Sequence, residues 1–313
     1  MDWNEDVMDE LERIGFRLRG LYQRKGFARY RMSKFEEYDL YSRNKDFLLS
    51  EGVITFTDIN GRLLALKPDV TLSIVKNVGD CGAGLQKLYY HENVYRVSAG
   101  ADGFREETQV GVECMGQVDG KAISQVLELA AESLALLSPD YILEISHLDL
   151  LGALVDSIAT DHGMREAMLK CAGEKNQHGI RELCRQAGLH PGAEEPLISL
   201  LGIYGPPKTV MPKIRRLAEE NGCEEAAREL GEAVASFAGA EAESHLWIDF
   251  SATGDLKYYN GIAFKGFLQG IPDPVLSGGQ YDALMKRMHR KDRAIGFAVF
   301  LHRLDRLEGG ARG

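Results

Sequence analysis

Apolar residues recur every three to four positions from Val7 to Lys25, with Leu11, Ile14, Leu18 and Leu21 on one stripe. That period predicts an amphipathic helix, and Gly26 ends it. Phe27 to Phe35 reads as a strand and Glu36 to Phe47 as a mixed, partly helical connection. Val53–Asp58 and Arg62–Leu66 flank Ile59-Asn60-Gly61, and Asn-Gly is a strong hairpin signal. Pro68 then fixes the entry to a helix from Val70 or Thr71 to about Val78. Asp69 falls near its start, where a helix cap and a carboxylate aimed into a site are both open readings.

The stretch from Lys87 to Gly116 has the clearest alternation. Leu88 to Val97 is aromatic and β-branched, Ala99 to Gly103 carries turn residues, and Thr108 to Met115 alternates with a period of two. Thr108, Val110, Val112 and Cys114 share one face; Gln109, Gly111, Glu113 and Met115 share the other. The second face sets an amide and a carboxylate either side of a glycine that lets something approach the backbone closely. A carboxylate on a sheet face needs a cation or donors to offset its burial. Arg96, on the preceding strand, offers a fixed fork for a carboxylate or phosphate. Such a set suits a zwitterionic small molecule; an ordinary solvent-facing strand is the plainer alternative.

Ile123 to Leu137 is a helix and Ile142 to Ile145 a strand. From Leu148 to about Gly239 the pattern turns helical, with segments near Met164–Cys171, Gly179–Ala187, Glu195–Ile203, Pro212–Asn221 and Glu224–Phe237. β character resumes at Leu246–Phe250 and at Tyr258–Phe267, where Tyr259 is expected to face opposite Tyr258. Ser277 to Asp282 reads as a tight glycine turn into a helix over Ala283–Met288. Ala294–Val299 reads as a strand end and Phe300–Leu307 as a helix. Hairpins at both ends of a strand-poor middle predict an α+β fold with an antiparallel sheet core backed by helices. Residues 1–147 and 240–313 are expected to form one discontinuous domain and 148–239 an inserted helical subdomain.

Composition narrows the chemistry. The chain has 313 residues and a formal net charge of -10, which argues against nucleic acid as the main partner. The five scattered cysteines carry no metal or redox spacing and suggest a reduced, cytosolic setting. The N-terminus has no signal-peptide pattern, and no apolar run approaches a membrane span. There is no Walker-type loop, no GxGxxG opening a helix and no HExxH, so no cofactor or metal is expected. No nucleophile with its base is discernible.

Several separated segments resemble histidyl-tRNA synthetases. LKPDVTLSIVKNV resembles their LRPEGT-type segment, and KLYYHENVYRVSAGADGFREETQVGVECMG their motif 2 hairpin. KYYNGIAFKGF and SGGQYD resemble the two histidine-specific segments, and AIGFAVFLHRL resembles motif 3. The resemblance implies a sheet of the class II aminoacyl-tRNA synthetase type. It also implies that Asp69, Thr71 and Gln109 hold the α-amino group of histidine and that Arg96 faces its carboxylate. Glu113 and Tyr259 would read the imidazole, with Tyr258 and Tyr281 nearby, while Gly278 and Gly279 let the backbone close on the ligand.

The departures from the family are equally specific. The arginine that assists activation is matched by Gly254, with Lys257 replacing an aspartate. The adenine-reading glutamate is Ser98, the motif 1 proline is Ser33, and His302 precedes Arg303. The resemblance to an anticodon-binding domain is absent. This combination resembles the histidyl-tRNA synthetase-like regulatory subunits of ATP phosphoribosyltransferase. That resemblance implies a non-catalytic protein of histidine biosynthesis, with L-histidine as effector and a short-form catalytic subunit as partner. No tRNA or membrane partner is implied. It also implies a homodimer through the N-terminal segment, within a hetero-oligomer. A minimal synthetase-like ligase that forms an aminoacyl-adenylate is the competing expectation.

Overall fold

The computed structural model describes residues 7–48, 52–82, 84–97, 103–251 and 258–304. The first helix, α1 (Glu10–Arg24), starts in a capping box. The Asp9 side chain accepts from the Glu12 amide, and Glu12 reaches back to the Asp9 amide. Gly26, at φ 85°, turns the chain after it. The strand expected over Phe27–Phe35 is instead two short pieces, β1 (Ala28–Arg29) and β2 (Phe35–Glu37). They belong to different sheets, so the chain between them cannot stay in one ladder. Helix α2 (Tyr38–Arg43) follows, then the Asn-Gly hairpin of β3 (Thr55–Thr57) and β4 (Leu63–Leu66). Helix α3 (Thr71–Asn77) starts just after Pro68, as expected.

The long hairpin is β5 (Leu85–Val97) and β6 (Phe104–Gly116), paired without a bulge from Leu85–Gly116 to Val97–Phe104. Next come α4 (Gly120–Leu137), β7 (Tyr141–His147), and the helices α5 (Leu148–Asp156), α6 (His162–Gly173), α7 (Gln177–Gln186) and α8 (Glu195–Leu201). A two-residue strand, β8 (Tyr204–Gly205), interrupts the helical stretch before α9 (Pro207–Asn221) and α10 (Glu224–Ala235). The last elements are β9 (Leu246–Asp249), β10 (Asn260–Leu268), β11 (Leu276–Gln280), α11 (Asp282–Arg287) and β12 (Arg293–Phe300).

Nine strands form one sheet in the order β1-β5-β6-β12-β11-β10-β7-β9-β8. The run from β5 to β7 is wholly antiparallel, and the parallel pairs β1–β5 and β7–β9 lie toward the margins. This is the α+β layout with an antiparallel core. A second sheet, β2-β4-β3, lies beside it. Three details differ from expectation. Ser277 to Gln280 is the body of β11, not a turn. The helix expected over Phe300–Leu307 is, among the described residues, a single 3-10 turn at Leu301–Arg303. And β10 begins at Asn260, so Tyr258 and Tyr259 precede it.

The two faces of the large sheet are packed differently. Val110, Val112 and Cys114 of β6, with Ile295, Phe297 and Val299 of β12, join a core continuous with α1, α4, α5 and α8 to α10. The helical stretch therefore packs into the core of the sheet. The opposite face carries a second cluster that includes Leu88, Tyr90, Val94, Met115, Tyr258 and Tyr281, roofed by α3, α11 and residues of α2.

Candidate functional site

The second face holds a cavity of about 60 Å³, lined by Asp69, Thr71, Tyr90, Arg96, Gln109, Glu113, Tyr258, Tyr259, Ser277 and Tyr281, with parts of β12.

Asp69 is delivered by the junction of β4 and α3. Lys67 is buried and donates to Glu92 at 2.7 Å, and its carbonyl accepts from the Tyr95 amide at 2.9 Å, so the junction is tied to β5. Pro68 then turns the chain into α3. Asp69 accepts from the Leu72 amide at 2.8 Å, so it both caps the first turn and lines the cavity. Burial pushes its carboxyl up, while the Leu72 and Thr71 amides and the charge of Arg96 pull it back.

Glu113 sits at the centre and is 2% exposed. Thr71 Oγ1 donates to one of its oxygens at 2.5 Å and Tyr281 OH to the other at 2.6 Å. Burial pushes the carboxyl up to about 8; the two hydroxyl donors oppose the shift, and the nearby charge of Asp69 adds to it. Its partner across the ladder is Gly296 of β12, where a Cβ would collide with the Glu113 carboxylate and the Val112 carbonyl. Gly111, one step along β6, makes room for the Tyr90 phenol. The close approach that this glycine permits is therefore intramolecular.

Arg96 pairs with Glu107 at 3.2 Å, and its Nε, like Nε2 of Gln109, is buried without a hydrogen-bond partner among the described residues. Each of those donors is costly to leave unpaired. Tyr258 and Tyr259 face the same cavity, with ring centroids 4.8 Å apart; strand alternation does not separate them because both precede β10. Tyr281 lies 6.3 Å from Tyr258, centroid to centroid.

Eight of the ten residues expected to form the site thus line one cavity. The two glycines do not. A Cβ on Gly278 would meet Phe264 and Phe297 on the helix-packed face, so Gly278 points away from the cavity. A Cβ on Gly279 would meet the Tyr259 ring at 2.9 Å, so Gly279 seats that ring. Ser277, Gly296 and Phe300 were not anticipated. A glycine inside the β pattern Ala294–Val299 was a readable signal of close approach; nothing in the sequence singled out Ser277 or Phe300. Arg303 lies over the Phe300 ring at 4.4 Å and donates to the Pro274 carbonyl. Ser98, Gly254 and Lys257 lie outside the described residues.

Two buried acids share this cavity with one arginine that is already paired to Glu107. It can hold a small ligand that brings positive charge and hydrogen-bond donors.

The family model for histidyl-tRNA synthetase matches residues 1–304. The chain belongs to that family. An ATP phosphoribosyltransferase regulatory subunit from Alkaliphilus metalliredigens is 27% identical over 293 residues, covering 92% of this chain and 74% of its own. An ATP phosphoribosyltransferase regulatory subunit/histidyl-tRNA synthetase from Bacillus halodurans C has the same fold. Its TM-score is 0.83 at 24% identity, over 93% of this chain and 77% of that one. A chain from the ATP phosphoribosyl transferase complex of Thermotoga maritima matches with a TM-score of 0.73 at 19% identity, over 96% and 98% of the two chains. The sheet is therefore of the class II synthetase type expected from the resemblance. Among the described residues, no helix is long and apolar enough to cross a membrane.

Proposed function

We propose that this chain is a regulatory subunit of ATP phosphoribosyltransferase, acting in histidine biosynthesis in the cytoplasm and sensing free L-histidine in the cavity beneath α3. The phosphoribosyl transfer belongs to a short-form catalytic subunit, with which the chain assembles, as a homodimer, into a hetero-oligomer. Curated relatives carrying the regulatory-subunit name support the assembly. The observation that carries the ligand is the buried Glu113, doubly hydrogen-bonded and lining one cavity with Asp69, Arg96 and Gln109. Asp69, Thr71 and Gln109 take the α-amino group, Arg96 the carboxylate, and Glu113 with Tyr259 the ring. Tyr258 and Tyr281 close the walls, and Gly279 seats Tyr259.

Titration calorimetry with L-histidine and with histidinol tests this reading. Histidinol lacks the carboxylate, leaves Arg96 without its acceptor and binds more weakly. Equal affinity for the two, or none for either, would remove histidine sensing. Histidine-dependent ATP–pyrophosphate exchange would mark the chain as a minimal ligase instead; the account expects none.

A further inference from the structure

Among the described residues that line the cavity, Arg96 is the only cation, and Glu107 already engages it. Period two puts Glu107 on the same face of β6 as Gln109 and Glu113. In the ladder Glu107 lies opposite Val94, one diagonal step from Arg96. The Arg96 and Glu107 side chains are 15% and 14% exposed, and Nη1 of the arginine stands 3.2 Å from Oε2 of the glutamate. The contact lacks hydrogen-bond geometry. Glu107 Oε2, like Arg96 Nε, has no hydrogen-bond partner among the described residues.

A guanidinium and a carboxylate at this separation can form two parallel hydrogen bonds. A pair kept only for stability would make them, because buried polar groups left unpaired are costly. The second oxygen of Glu107, Oε1, lies 3.8 Å from Nε2 of His302, on the 3-10 turn that follows β12. Glu107 thus stands between two donors and is hydrogen-bonded to neither. An amino acid brings a carboxylate of its own, and Arg96 cannot give its fork to both. A mobile carboxylate can align with the fork where Glu107, fixed on its strand, does not. Glu107 then needs another donor, and His302 is its other ion-pair partner among the described residues.

We propose that Glu107 is an internal stand-in for the ligand carboxylate: it holds Arg96 until histidine arrives, then yields it and passes to His302. The inference rests on the histidine reading given above and adds the residue that sets the affinity of that site. Occupancy of the cavity is thereby felt at the turn after β12. While Glu107 holds the arginine, the apparent affinity is reduced by the fraction of molecules in which Arg96 is free.

Calorimetry with L-histidine and with histidinol tests this on the full chain, on Glu107→Gln, on His302→Phe and on the double variant, with thermal melts confirming that each is folded. Glu107→Gln keeps the shape and removes the competing charge. It is expected to bind histidine about fivefold more tightly or better, while histidinol, with no carboxylate to place on Arg96, does not tighten. His302→Phe keeps a ring but removes the receiving donor, and should weaken histidine binding by a similar factor. In the double variant the His302 change should have no further effect, because the charge it receives is gone. Histidine binding that is unchanged or weaker in Glu107→Gln, or that shifts equally with histidinol, would mark the pair as structural and overturn the inference while leaving the proposed function standing. Should Glu107→Gln not fold, His302→Phe decides alone, and unchanged histidine affinity there overturns the inference. No histidine binding by any of the four proteins would remove the proposed function and this inference with it.

Discussion

Strand β6 has two faces that obey different rules. Val110, Val112 and Cys114 are buried among aliphatic and aromatic side chains of the helix layer. Gln109 and Glu113 are just as inaccessible, at 4% and 2% exposure, but lie against hydroxyls, a second acid and a cavity. The first face gains stability from every buried methyl group. The second buries polar groups at a cost, which Thr71 and Tyr281 offset only in part. A protein retains such a face for what it binds, and the contrast between adjacent residues makes that claim testable.

The largest expected effect comes from exchanging the rules. Val112→Asp would bury a carboxylate inside the hydrophobic cluster of the helix-packed face and should cost more than ~4 kcal/mol, leaving no cooperative melt. A folded Val112→Asp protein would show that the helix-packed face tolerates charge and would erase the contrast. Gly296→Ala is next. The added methyl must displace Glu113 or the Val112 carbonyl, so overpacking of about 1–3 kcal/mol is expected in thermal unfolding, together with loss of histidine binding. An unperturbed Gly296→Ala variant would mean that Glu113 is not held as described.

Glu113→Gln sharpens the comparison through pH. An acid whose folded pKa is raised keeps its proton where the unfolded chain has lost it. Stability therefore falls as pH rises from the ordinary carboxylate range to about 8, by up to about 1.4 kcal/mol per pH unit from this group, and levels off above. The variant should lack this contribution, match the wild type in acid and exceed it above pH 8. Above pH 8, where Glu113 is ionised, the variant's histidine affinity should fall about tenfold or more relative to wild type, as for a hydrogen bond to a charged group worth about 1.5–3 kcal/mol. Parallel stability profiles for the two proteins would contradict the burial cost. Tyr281→Phe is the mildest change. It removes one donor at about 1 kcal/mol and should move the upper end of the pH-dependent fall above that of the wild type, as seen in melts collected across pH.

How much of this was legible in the sequence follows from the range of each signal. The β5–β6 hairpin was readable because alternation is local, and its polar face was assigned correctly from period two alone. Asp69 was readable because Pro68 fixes the helix start. Ser277-Gly278-Gly279-Gln280 was misread because paired glycines usually mark a turn. Here they lie in the interior of a strand, where Phe264 and Phe297 crowd one side and Tyr259 the other. Tyr258 and Tyr259 were separated by a strand period that does not begin until Asn260. The parallel β7–β9 pair joins residues about a hundred positions apart, and no local pattern announces it. Gly296 was visible as a glycine in a strand; what it makes room for, Glu113 in the next strand, was not.

The most direct measurement is phosphoribosyl-transfer activity of the purified catalytic subunit, titrated with L-histidine in three preparations: alone, with this chain, and with Glu113→Gln. The account predicts that the chain changes both the activity and its response to histidine. It further predicts that Glu113→Gln still assembles but shifts the histidine response to higher concentration. Identical titrations with and without the chain would contradict the regulatory role, and an unshifted response with Glu113→Gln would contradict the cavity as its sensor.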